Sequence, residues 1–162
     1  SQNVANYSKL IAKAMNLSLS DISKIYYSGL VHDIGKAIIP KEILNKNGKL
    51  TDEEYTIVKK HPTYAYQALV QNNELSEISK IVLQHHERWD GYGYPNGLKE
   101  QEITIEARII AIADSFDAMT SNRPYRKAFS KEQAINEIFD KLGSQFDPTI
   151  GKIAIEKVFK YI

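Results

Sequence analysis

Apolar positions recur along this chain at the spacing of helix faces almost from end to end. Val4, Tyr7, Ser8, Ile11, Ala12 and Met15 line one side of a first helix that Asn16 ends. Ser20 or Asp21 caps a second, whose stripe of Ile22, Ile25, Tyr26, Gly29 and Leu30 leads into His32-Asp33. Residues 35–50 carry Pro40 and Gly48 and read as a connector with one short helical turn. Thr51 and Glu54 have the spacing of a capping box, which predicts a helix from there to about Lys60. His61-Pro62 starts another, because proline suits the first helical position, with Ala65, Ala68 and Leu69 on its apolar side. The pattern then predicts a helix over 75–87, striped by Ile78, Ile81 and Val82, with His85-His86 in its last turn. Residues 105–119 return to helix with Ile109, Ile112, Ala113 and Phe116 inward. Ser130 and Gln133 form a second capping box, and Asp147-Pro148 opens the final helix. No strand alternation, repeat or low-complexity tract interrupts this, so the predicted fold is all-α.

One long segment breaks the pattern. Between Arg88 and Thr104 runs Trp89-Asp90-Gly91-Tyr92-Gly93-Tyr94-Pro95-Asn96-Gly97, whose glycines and proline stop any helix. Loops of this length inside compact domains tend to be functional. Its glycines permit tight turns and its aromatics supply flat contact area, so it is expected to wall a substrate cleft or dock a partner. Trp89, the only Trp, reads as the packing anchor of the loop rather than a base-stacking platform.

Composition narrows the function classes. At 162 residues the chain is most simply one domain, 1–162. Lys and Arg total 21 against 20 Asp and Glu, so no field argues for duplex nucleic acid or an anionic membrane. The absence of Cys excludes disulfides and thiolate metal sites and fits a cytoplasmic location. No apolar run reaches the roughly 20 residues a membrane span needs. The chain begins without Met and inside a helix, so it is expected to be a fragment of something longer.

The chemistry lies in four histidines, His32, His61, His85 and His86, joined by Asp33 and Asp114. They fall about a helix and a turn apart, which lets successive helices of a bundle aim them at one centre. Taken singly, each His reads better as a hydrogen-bonded core or surface residue. Together, four imidazoles and two carboxylates exceed the ligands of one zinc and suit two octahedral ions sharing a carboxylate. Two metals about 3.5–4 Å apart are a standard device for phosphate-ester hydrolysis. Gly35 is expected to end the second helix in the left-handed conformation, with Lys36 just beyond as a cation for a metal-bound anion. Glu87 reads as a hydrogen-bond partner of His85 or His86 or as a solvated helix end, and Asp117 as an outer partner on the face of Asp114. Lys46, Lys49, Lys59 and Lys60 read as solvated surface.

These residues resemble a known pattern. His32-Asp33-Ile34-Gly35-Lys36, His61-Pro62 and the run His85-His86-Glu87-Arg88-Trp89-Asp90-Gly91-Tyr92-Gly93-Tyr94-Pro95 are similar to the HD-GYP family, a branch of the HD metal-dependent phosphohydrolases. Ala113-Asp114, Asp117-Ala118, Arg123-Pro124-Tyr125-Arg126 and Phe146-Asp147-Pro148 continue the resemblance over essentially the whole chain. It implies an HD-domain bundle of about seven helices and hydrolysis of cyclic di-GMP, or a related cyclic dinucleotide, to pGpG or GMP. Two divalent ions, iron or manganese, would be held by His32, Asp33, His61, His85, His86 and Asp114, with Asp33 as the bridge. Lys36 would hold a phosphate oxygen, and Arg123, Arg126 and Tyr94 would contact the dinucleotide, Tyr92 and Tyr94 either lining a guanine pocket or packing the loop. The resemblance further implies an N-terminal regulatory domain and a partner domain of the diguanylate cyclase (GGDEF) type. Some members bind a third metal through a Glu and a His of the first helix. Gln2 to Tyr7 looks like the stretch just after that His, so two ions are expected here. The alternatives are an HD phosphohydrolase for another nucleotide, a mixed-valent iron oxygenase, or a binding module that has lost catalysis.

Overall fold

Local sequence signals become helices where their backbone groups can be satisfied. The computed structural model describes residues 1–122 and 127–162, and among them nine α-helices form. They are α1 (Gln2–Ala14), α2 (Leu19–Val31), α3 (Lys41–Leu44), α4 (Asp52–Val58), α5 (His61–Leu69), α6 (Ser76–Gln84), α7 (Ile105–Thr120), α8 (Lys131–Asp140) and α9 (Pro148–Lys157). The excess over about seven comes from the single turn α3 and the break ahead of His61. Both predicted capping boxes close: Thr51 Oγ1 accepts from Glu54 N at 3.2 Å and Ser130 Oγ from Gln133 N at 3.2 Å. Asp147 caps α9 by accepting from Thr149 N and Ile150 N. Asn16 ends α1 with a φ of 57°. The cap of α2 differs from expectation: it is Ser18, whose hydroxyl accepts from Asp21 N at 3.1 Å, so Asp21 lies inside the first turn.

A helix apolar on most sides must sit inside a bundle, and α7 does. Ala107, Ile109, Ile110, Ile112, Ala113 and Phe116 are all buried, and α1, α2, α6, α8 and α9 pack around them. Asp117 turns away from Asp114, accepting from Asn3 Nδ2 of α1 at 3.0 Å and from Ser121 Oγ at 3.2 Å. It ties α7 to α1 rather than supporting a neighbouring ligand. A smaller cluster of Ala65, Leu69 and Val82 joins α5 to α6. No helix of the described residues is long and apolar enough to cross a membrane.

Gly35 has a different role from the one its sequence position suggests. It lies inside a 3-10 turn over Ile34–Ile38 and is buried against α5. A Cβ at this position would run into the His61 carbonyl oxygen and stand 2.7 Å from the Ala65 amide nitrogen. The missing side chain lets the His32-Asp33 segment lie flat on the first turn of α5, which brings Asp33 next to His61. Gly35→Ala is therefore expected to lose about 1–3 kcal/mol of stability, the usual cost of overpacking. Urea unfolding of metal-free protein measures this, and an unchanged midpoint would show that the two backbones can separate at no cost.

Candidate metal centre

Three helix ends build the centre. The last carbonyls of any helix lack intrahelical donors, and here three of them accept from histidine rings. His32 Nδ1 donates to Gly29 at the end of α2 (2.7 Å), His61 Nδ1 to Val58 at the end of α4 (2.8 Å), and His85 Nδ1 to Val82 at the end of α6 (2.6 Å). Each bond holds the ring and directs Nε2 inward, the arrangement in which a metal-binding imidazole is usually found. The helix ends also carry partial negative charge, which favours a cation between them. The α6 helix stops at Gln84, so His85 and His86 lie just beyond it rather than in its last turn.

Nε2 atoms and carboxylates then converge. Asp33 stands between two histidines, with Oδ2 3.4 Å from His32 Nε2 and Oδ1 3.4 Å from His61 Nε2. His61 Nε2 and His85 Nε2 are 3.4 Å apart, and Asp114 Oδ1 is 3.6 Å from His32 Nε2. Donor atoms of Asp33, His61, His85 and His86 all lie within 4.8 Å of one another. All six residues singled out in the sequence thus meet at one place. His32 Nε2 and Asp33 Oδ1 are buried without a hydrogen-bond partner. Such an atom typically costs about 1–3 kcal/mol, and a cation between them would supply the missing partner to both. The residues present therefore fit a divalent metal.

Protonation points the same way. Burial pushes His86 down to about 4, and burial reinforced by His86 pushes His85 well below its ordinary value. Burial lowers His61 as well. These three rings are neutral and ready to ligate. Burial would lower His32 too, but the negative charges of Asp114 and Asp33, which face its Nε2 at 3.6 and 3.4 Å, outweigh that and raise it to about 9. Burial alone would raise Asp33; His32 and Lys36 beside it hold it well below the carboxylate range instead. Metal-free protein therefore keeps a proton on His32 that stabilises it fully below pH 6.5 and is lost as pH climbs through about 9. A metal must displace that proton. Apparent metal affinity is expected to rise about tenfold per pH unit up to about 9 and then level off. Titration calorimetry in buffers of different ionisation enthalpy measures the released proton, and a pH-independent affinity between 7 and 9 contradicts the assignment.

Over the cluster opens a cavity of about 520 Å³, within the range of small-molecule sites. His86 and Asp114 reach it from the cluster side, and Tyr55, Tyr92 and Tyr94 from the other. The Gly-Tyr loop is held as a wall from beneath. Glu87, only 3% exposed, accepts from Asn96 N at 2.7 Å and Leu98 N at 3.1 Å. It is neither a partner of His85 or His86 nor a solvated end but the internal support of the loop. Tyr94 N donates to the His86 carbonyl at 3.2 Å, and its ring stacks on the His86 ring at 4.9 Å. Gly93 allows this fold-back, since a Cβ there would stand 2.6 Å from the His86 carbonyl oxygen. Trp89 packs under the Arg108 guanidinium at 5.7 Å, and Arg108 pairs with Asp147 at 2.6 Å. Lys36 Nζ lies 2.7 Å from Asp33 Oδ2, at the cluster itself. Arg123 and Arg126 fall outside the described residues. Lys59, read from sequence as surface, is half-buried beside Tyr55 and Tyr94.

Comparison with known proteins agrees with this geometry. The model of the HD domain family matches residues 1–150. The cyclic di-GMP phosphodiesterase of Thermotoga maritima is 46% identical over 142 residues, covering 86% of this chain and 39% of that protein. The 3'3'-cGAMP-specific phosphodiesterase 1 of Vibrio cholerae is 43% identical over 136 residues, covering 84% and 32%. The chain thus spans about two-fifths of the length of the first of these relatives and a third of the second. An HDG"Y"P protein from Bdellovibrio bacteriovorus, 21% identical, superposes with a TM-score of 0.76 over 96% of this chain and 50% of that one, which shows a shared fold. With the family model matched to residues 1–150 and Asp33 of its His-Asp pair among the clustered potential ligands, this chain belongs to the HD domain family.

Proposed function

We propose that this chain is the catalytic domain of a metal-dependent phosphodiesterase that opens cyclic di-GMP to linear pGpG, or on to GMP, in bacterial second-messenger signalling. What carries the reading is the meeting of His32, Asp33, His61, His85, His86 and Asp114 in one cluster, of which His85, His86 and Asp114 line an open cavity. Their nitrogen and oxygen donors suit iron or manganese, and Asp33, with one oxygen toward each side, suits a shared ligand of two ions. Bound there, the ions supply Lewis-acid charge on a phosphoryl oxygen and a water of lowered pKa.

The chain's own residues do the rest. Ring contacts to helix-end carbonyls keep His32, His61 and His85 oriented throughout. Lys36 stands in for a cation on Asp33, and when that carboxylate takes a metal the ammonium is freed for a phosphate oxygen. Tyr94, fixed against His86, offers a flat face to a base. Arg123 and Arg126 complete the proposed substrate contacts, and Tyr92, 87% exposed on the loop, is where a GGDEF-type partner domain would meet the chain.

A second substrate is favoured by the relatives. The Vibrio protein at 43% identity is named for 3'3'-cGAMP, so the same site is proposed to open that hybrid ring as well. The test is to load purified protein with manganese or iron(II), measure bound metal, and follow cyclic di-GMP, 3'3'-cGAMP and cyclic di-AMP by chromatography. Release of pGpG or GMP from cyclic di-GMP is the expected result. Metal-replete protein that binds cyclic di-GMP without cleaving it would make this a sensing module instead.

A further inference from the structure

Lys59 ends α4, two residues before His61, and its side chain is half-buried. Its ammonium stands 5.0 Å from the centre of the Tyr55 ring and 6.0 Å from that of Tyr94. Both tyrosines line the cavity, and Tyr94 in turn stacks on His86 at 4.9 Å. Two other lysines are neutralised: Lys36 pairs with Asp33 at 2.7 Å and Lys46 with Glu54 at 2.6 Å. Among the described residues Lys59 has no ion pair. Aromatic faces attract and orient an ammonium but leave its charge and its three N–H donors free for a stronger acceptor. Lys59 is thus a cation positioned against two tyrosines of the cavity wall, with the Tyr94 ring between it and His86.

We propose that Lys59 grips the second phosphate of the bound cyclic dinucleotide, the one that is not being cleaved. This rests on the phosphodiesterase reading above. A cyclic dinucleotide carries two phosphodiesters on opposite sides of its ring. When one lies at the metal-ligand cluster, the other has to be met further out in the cavity. The contacts His86–Tyr94–Lys59 link the cluster to a cation one ring removed from it, whereas Lys36 sits at the cluster, where the phosphate under attack would lie. Lys59 acts on ground and transition states alike, because its phosphate does not change charge during the reaction, and such uniform binding appears in KM rather than kcat.

The experiment compares metal-replete parent, Lys59→Ala and Lys59→Arg on cyclic di-GMP and on bis(4-nitrophenyl) phosphate, a diester with a single phosphate. Lys59→Ala is expected to raise KM for cyclic di-GMP about tenfold with kcat within about twofold of the parent, and Lys59→Arg to recover most of the loss. The ratio of kcat/KM between the two substrates then falls about tenfold in Lys59→Ala. An equal loss on both substrates, or no change on either, overturns the assignment while leaving the phosphodiesterase reading intact. A parent protein that cleaves bis(4-nitrophenyl) phosphate but is inert to cyclic di-GMP overturns the substrate reading and the role of Lys59 with it.

Discussion

Asp33→Ala protein is expected to hold no tightly bound metal where the parent is expected to hold two ions per chain, and to lose all measurable hydrolysis of cyclic di-GMP. The reason is the position of one carboxylate. Oδ2 faces His32 and Oδ1 faces His61, each at 3.4 Å, so Asp33 offers a separate oxygen to each half of the cluster. Without it, His61, His85 and His86 form one half with no anionic ligand, and His32 with Asp114 form another with only two donors. Neither half retains the ligand number that a hard divalent ion prefers. Asp114→Ala makes the contrast, because Asp114 has its ion-pair distance in the cluster to His32, at 3.6 Å, and not to His61; it should lose one ion and keep the other. Elemental analysis after gel filtration of both variants reads the difference. One ion per chain remaining in Asp33→Ala would show that Asp33 is not shared.

What the sequence made legible was local or additive. Capping boxes at Thr51/Glu54 and Ser130/Gln133 and the Asp147-Pro148 start depend on groups three residues apart, and each closed as read. The six potential ligands were legible because their chemistry is unusual together, even though no distance between them could be read. Other residues were misjudged, like Asp117, each for a contact beyond the reach of its own helix turn. Gly35 looked like a helix terminator because the carbonyl it abuts belongs to His61. Glu87 looked like a helper of its histidine neighbours because its true partners are the amides of Asn96 and Leu98, reached only when the loop folds back. Lys59 looked solvated because Tyr94, which orients it, is brought there by stacking on His86. A half-buried cation with aromatic neighbours leaves no periodic trace in a sequence.

Lys36→Ala is expected to keep both metals, fold normally and lose about a hundred- to a thousand-fold in kcat on cyclic di-GMP. The ammonium sits 2.7 Å from Asp33 Oδ2 on a side chain that is 40% exposed, so it is both at the cluster and accessible to a ligand that binds there. An ion pair this accessible contributes only about 0–1 kcal/mol to stability, and its loss does not unfold the domain. During hydrolysis the situation differs. Negative charge grows on the phosphate oxygens as the bond to the leaving oxygen breaks, and a donor already aimed at that position stabilises the transition state more than the bound substrate. Removing one such donor costs about 2.7–4 kcal/mol, which is the stated loss in rate. Because the effect belongs to the transition state, kcat should fall while KM stays near the parent value. That pattern is the reverse of the one expected for Lys59→Ala, so the two lysines can be told apart in one set of steady-state measurements on metal-replete protein. A Lys36→Ala variant that turns over at the parent rate would show that Lys36 serves only to neutralise Asp33 before the metals arrive.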